Sequence, residues 1–111
     1  MATISNLYVD AGSTYSNIIT VASSTGAPLN LTGYTVQSQM RKSYQSSQSF
    51  SFTASVYNTV DGKIRLQLTD EQSEAIPPGR WLYDVEITSP SGTKTRVVEG
   101  IVTVNPQITR T

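Results

Sequence analysis

The sequence predicts an all-β chain, a Greek-key or immunoglobulin-like β-sandwich of about seven strands with one short helical turn near residues 70–75. Three observations predict it. Apolar residues recur with period two along most of the chain, and the 3.6-residue period of an amphipathic helix is nearly absent. Clusters of Gly, Pro, Asn and Asp break this alternation about every ten residues, the spacing of sandwich and barrel strands. The length of 111 residues suits a single domain, 1–111. A domain of that size buries roughly two-thirds of its unfolded surface and can stand without disulfides or metal.

The first strand is "TISNLYV", residues 3–9, closed by "DAGS". The second is "YSNIITVAS", in which Tyr15, Asn17, Ile19 and Val21 alternate with Ser16, Ile18, Thr20 and Ala22. After the turn "STGAP", "LNLTGY" makes a short extended piece with Leu29 and Leu31 on one face. In "YTVQSQMRK", Tyr34, Val36, Ser38 and Met40 face one way and Thr35, Gln37, Gln39 and Arg41 the other. The polar "SYQSSQS" reads as an exposed loop.

"FSFTASVY" returns to alternation, with Phe50, Phe52, Ala54 and Val56 in phase. Asp61-Gly62 is a hairpin turn signal. "KIRLQL" alternates most cleanly, with Ile64, Leu66 and Leu68 inward. Thr69 and Gln72 have capping-box spacing, which starts a helical turn that Pro77 and Pro78 end. "RWLYDVEIT" then puts Trp81, Tyr83, Val85 and Ile87 on one face, against Leu82, Asp84 and Glu86. Because the aromatics share their face with Val and Ile, they point to the core. The last strand is "TKTRVVEGIVTVN". A bulge at Gly100 would move its inward face from Val98 to Ile101, or bend the strand. The predicted core is Ile19, Val36, Phe52, Ile64, Leu66, Trp81, Tyr83, Val85 and Val102.

Eight basic and eight acidic residues give zero net charge. That offers no positive field to a nucleic acid, and little repulsion between copies of the chain. His and Cys are both absent, which removes the commonest general base, the cysteine nucleophile pairings and every His/Cys zinc site. No glycine-rich phosphate loop is present. Asp84, Glu86 and Glu99 are the remaining carboxylate candidates, and they read as cross-strand charge pairs, with Glu86 near Thr95 or Arg96. Asp70, Glu71 and Glu74 suit the dipole of the helical turn. Asn30-Leu31-Thr32 matches a glycosylation triplet, which nothing else supports. The expectation is no enzyme, no cofactor, no bound metal, no nucleic acid and no membrane. The first residues have neither the basic nor the apolar region of a signal peptide.

Several pieces occur in one order: "GSTY" (12–15), "GAPLNLTGYTV" (26–36), "MRK", "LTDEQSEAIPPGRWLYDVEI" (68–87) and "SGTKTRVVEGIVTVNPQITR" (91–110). This set resembles a family of small immunoglobulin-like domains in tailed-bacteriophage virion proteins. In that family they lie at the N-terminus of baseplate upper and tail-fibre-network proteins. The resemblance implies a multi-copy structural protein in the baseplate or tail-fibre attachment region, or on the head or neck. It would be assembled in the bacterial host cytoplasm and contact other virion proteins and its own copies. In longer members the module is followed by further domains, whereas a chain of this module alone would act as an adaptor or decoration.

Three polar segments are the expected contact elements: an N-terminal arm (1–11), the loop 43–49 and a C-terminal tail (105–111). The residues singled out in them are Thr3, Tyr8, Tyr44, Gln45, Gln48, Gln107 and Arg110. A reading of another class is a carbohydrate-binding module, with Tyr44, Tyr8 and Tyr57 as stacking rings. Weak host-glycan binding could overlap with the virion role. Two or more coplanar exposed rings beside a polar groove would favour it.

Overall fold

Alternation resolves into strands wherever one face can be buried. In a computed structural model that describes residues 3–22 and 26–106, the elements are β1 (Thr3–Ile4), β2 (Leu7–Asp10), β3 (Tyr15–Thr20), β4 (Thr35–Arg41), β5 (Ser49–Asn58), β6 (Lys63–Leu68), α1 (Asp70–Glu74), β7 (Gly79–Thr88) and β8 (Lys94–Asn105). The fold is all-β, a curled sheet resembling half a barrel. Its strand order is β1-β8-β7-β4-β5-β6-β3, with β2 also on β8. β5 joins the two halves. Its first residues pair with β4 (Ser49↔Arg41 to Phe52↔Ser38), and its later ones with β6 (Thr53↔Gln67 to Asn58↔Lys63).

The curl closes over one core. Ile64, Leu66, Val85, Val102, Met40 and Val9 are fully buried, and Trp81, Phe52, Tyr83 and Ile19 are buried beside them. Val36 packs against this cluster but is only half-buried. Burying a branched aliphatic or aromatic side chain contributes about 1.5–3 kcal/mol each, so the inward faces of β6, β7 and β8 carry most of the fold.

Three expectations need correction. The N-terminal arm is part of the sheet. β1 and β2 run parallel to β8, from Thr3↔Val98 through Leu7↔Val102 to Asp10↔Asn105. Leu7, Val9 and Ala11 enter the core, so hydrophobic burial within the chain itself orders this segment. "LNLTGY" forms no strand. Asn30 Oδ1 accepts from Thr32 N (3.0 Å) and Thr32 Oγ1 (2.6 Å), which turns the backbone there. Leu31 still reaches the core from this loop.

The third correction concerns β8. The register passes from Val85↔Val98 to Glu86↔Arg96, so the extra residue is Val97, and Gly100 stays in register opposite Tyr83. Val98, Val102 and Val104 therefore keep one inward face. A Cβ at Gly100 would meet the Ser5 carbonyl oxygen, so what requires glycine here is the close passage of the N-terminal strand.

α1 sits at the corner between β6 and β7. Both bonds of the capping box are made, Gln72 N to Thr69 Oγ1 (3.1 Å) and Thr69 N to Gln72 Oε1 (2.8 Å). Ser73 is buried, and its Oγ ties the turn to the β2–β3 corner. It accepts from Gly12 N (3.0 Å) and faces the Ser13 carbonyl (2.8 Å). Replacing Ser73 by Ala strips both partners at once. The expected loss is about 1–2 kcal/mol, because a backbone N–H is left unpaired. Chemical denaturation should show it with the m-value unchanged, and Ser73→Thr should lose less.

Candidate functional site

The outward face of β4, β7 and β8 forms an open groove of about 560 Å3. Its floor follows from strand parity: the residues alternating with the core on β7 are Leu82, Asp84 and Glu86. Register sets their neighbours. Leu82 lies opposite Ile101, and Asp84 opposite Glu99. On the other side, Gln39 pairs with Asp84 and Arg41 with Leu82. Ile4 of β1 lines one rim and Tyr44 of the β4–β5 loop the other.

Two rows result, an apolar pair (Leu82, Ile101) beside a carboxylate pair (Asp84, Glu99). Like charges directly opposite each other in a sheet repel. Arg96 offsets this by bonding both, with Nε 3.2 Å from Asp84 Oδ2 and Nη1 3.7 Å from Glu99 Oε2. Burial pushes the Asp84 carboxyl above the ordinary aspartate value. Arg96 and Arg41 oppose that shift, while Glu86 and Glu99 add to it. Arg41 spends its hydrogen bonds on neutral groups, Ser46 O (2.8 Å) and Gln39 Oε1 (3.1 Å). The groove thus carries three carboxylates, two of which share one guanidinium. Among the described residues no group of three or more His, Cys, Asp or Glu could hold a metal ion. No helix there is long and apolar enough to cross a membrane.

The sequence-predicted contact residues scatter. Tyr44 stands at the groove, 80 % exposed. Gln45 and Gln48 are exposed in the same loop, which Arg41 anchors through Ser46. Thr3 is exposed on β1, and Tyr8 is exposed on β2 away from the groove lining. Gln107 and Arg110 lie outside the described residues. The ring of Tyr57 is covered by Arg65, whose guanidinium carbon is 4.4 Å from its centroid. Trp81 is buried. Of the aromatic rings named for sugar stacking, Tyr44 alone lines the groove. Leu82 and Ile101 were missed as site residues, although both are apolar at positions whose parity faces outward.

Beneath the groove Tyr83 fastens the N-terminal segment. Its hydroxyl donates to the Ser5 carbonyl at 2.5 Å. Burial, the largest influence, pushes its pKa up to about 12 from 10.0, against an opposing influence of the Ser5 side chain, while the bond given to the Ser5 carbonyl favours the protonated phenol. The folded state therefore holds the phenol proton more tightly than the unfolded chain does. The stability linked to this group is fully present below pH 10.0 and is lost as the pH rises towards about 12. Unfolding curves between those limits should show that decline, and Tyr83→Phe should flatten it.

No protein-family model and no curated protein matches the chain. Among solved structures, it is similar to an internalin-like protein of Listeria monocytogenes, with a TM-score of 0.48 at 12% identity. The similarity covers 94% of this chain and 28% of that one, so the chain spans just over a quarter of the neighbour's length.

Proposed function

We propose that this chain is an immunoglobulin-like module of a tailed-phage virion. It works by protein–protein contact in the baseplate or tail-fibre attachment region, with the head surface or neck as the alternative position. The observation that carries the reading is the ordered motif set from residues 12 to 110. Its pieces fall at the joints of the sheet: "LTGYTV" launches β4, "LTDEQ" caps α1, "IPPG" turns the corner, and "RWLYDVEI" forms β7, between β4 and β8.

Strand pairing supports the sandwich reading. β3 and β6 pair in one half, β4, β7 and β8 in the other, and the N-terminal strands join the last strand in parallel. The groove supports work by contact, since it offers an apolar strip and charges in one open surface. The sugar-binding reading has less support, because among the described residues Tyr44 is the one exposed ring lining the groove.

Mass spectrometry of purified particles, with copy-number counting, tests the proposal. The chain is expected in the particle at a fixed multiple of the baseplate or fibre proteins. Its absence from the particle would end the reading.

A further inference from the structure

We propose that the groove on β4, β7 and β8 receives residues 107–111 of a second copy, with Ile108 over Leu82 and Ile101 and Arg110 over Asp84, Glu86 and Glu99.

The groove states what it would accept. Its apolar row and its acidic row are two residues apart on both strands, Leu82 to Asp84 and Ile101 to Glu99. That separation is roughly 6.6 Å. An extended segment that fits places an aliphatic side chain and a cation two residues apart, which puts them on one face at the same spacing. "QITRT", residues 107–111, has this pattern in Ile108 and Arg110.

Charge favours the same occupant. Asp84 and Glu99 share Arg96, and among the described residues Glu86 has no ion-pair partner. With Arg41 also lining the groove, one further guanidinium brings it to balance, and Arg is suited to bridging carboxylates. Tyr44 at the rim can cover the segment and keep water from the new ion pairs.

A second copy is the better-placed donor. β8 runs away from the groove. Asn105 lies four residues beyond Ile101, or roughly 13 Å along the strand. From Asn105 to Ile108 the chain spans at most about 11 Å. Reversing direction at Asn105 and Pro106 uses up part of that reach, so a chain's own Ile108 stops short of a position centred over Leu82 and Ile101, and the tail of a second copy fits better. Such contacts close as a reciprocal dimer or a ring, or continue as an open array. The inference stands on the groove and does not require the virion reading.

The test uses the full chain in sedimentation, with a synthetic NPQITRT peptide as a separate probe. Concentration-dependent self-association is expected, weakened at least about tenfold by Arg110→Glu and by Glu86→Lys. In an equal mixture the unaltered tail of one variant meets the unaltered groove of the other, and the two reversed charges complement each other, so association should return. The peptide, added to the Arg110→Glu protein, should shift the amide resonances of Leu82, Asp84, Glu99 and Ile101, and a scrambled peptide should not. Near-ultraviolet dichroism of Trp81 verifies that each variant is folded. Unchanged association in Arg110→Glu, or no shift of those amides by the peptide, overturns the proposal. Neither result bears on whether the chain is found in a particle.

Discussion

Trp81→Ala is expected to lower the free energy of unfolding by about 3–5 kcal/mol, the range for emptying a large core site. The ring is 1 % exposed. Phe50 meets it edge-on with centroids 5.3 Å apart, and its strand neighbour on β8 is Val102. Its indole N–H donates to the Pro77 carbonyl at 2.9 Å, so the same side chain fixes the corner that leads into β7. Lys42 covers the outer side, with Nζ 4.7 Å from the ring centroid and 3.2 Å from the Arg80 carbonyl. Truncation removes the packing, leaves the Pro77 carbonyl without its donor and strips Lys42 of its aromatic partner.

Because Trp81 is the single tryptophan in the chain, its fluorescence vanishes with the mutation. Far-ultraviolet dichroism must follow the unfolding instead. Trp81→Phe should recover part of the loss, since it refills most of the space but cannot reach Pro77. A loss below about 1 kcal/mol for Trp81→Ala would mean that the ring does not occupy the core.

The strands that could be read from sequence are those whose evidence is local. "KIRLQL" declares β6 because Ile64, Leu66 and Leu68 alternate with polar residues, and all three are buried. The capping box of Thr69 and Gln72 needs a span of only four residues, and both of its bonds form. The parity of β7 similarly separates Trp81, Tyr83 and Val85 from Leu82, Asp84 and Glu86.

The parallel docking of β1 and β2 on β8 is a different kind of fact. It joins Thr3 to Val98 and Leu7 to Val102 across nearly the whole chain. No short-range signal encodes such a pairing, so "TISNLYV" reads as a strand without a partner and its ends as an arm. The groove was hidden for a related reason. Parity gives a list of outward residues on each strand, but only register makes neighbours of them. The extra residue Val97 shifts the phase of β8. With it, Arg96 stands opposite Glu86 and Glu99 opposite Asp84. A regular ladder continued from Val98 would put Val97 opposite Glu86 instead. Counting back from the turn "SPSG" already puts Glu86 beside Arg96, as the structure has it; what "TRVVEG" does not announce is the one-residue bulge that sets Glu99 opposite Asp84.

Gly100→Val is expected to cost about 3 kcal/mol, at the upper end for overpacking, and to act on the N-terminal strand. Gly100 does not have a positive φ, so backbone strain is not the reason for glycine. Space is the reason. Ser5 crosses directly over Gly100, donating its N–H to the Glu99 carbonyl (2.9 Å) and receiving the Tyr83 hydroxyl at its own carbonyl. Asn6 Oδ1 then takes the Ile101 N–H at 3.1 Å. Together these bonds hold the chain between β1 and β2 against the middle of β8. Any Cβ at position 100 meets the Ser5 backbone, which cannot swing aside like the tip of a long side chain. The strand must lift, breaking the Tyr83 and Asn6 bonds and loosening Leu7 and Val9 in the core. Amide exchange separates this from a general loss of stability. In Gly100→Val the amides of Ser5 and of β2 should exchange by local opening, well ahead of those in β6 and β7. Uniform acceleration across the sheet would instead place the role of Gly100 within the β7–β8 ladder. Because Ile4 lines the groove, the lifted strand should also weaken any binding there, while Asp84, Glu86 and Arg96 remain in place.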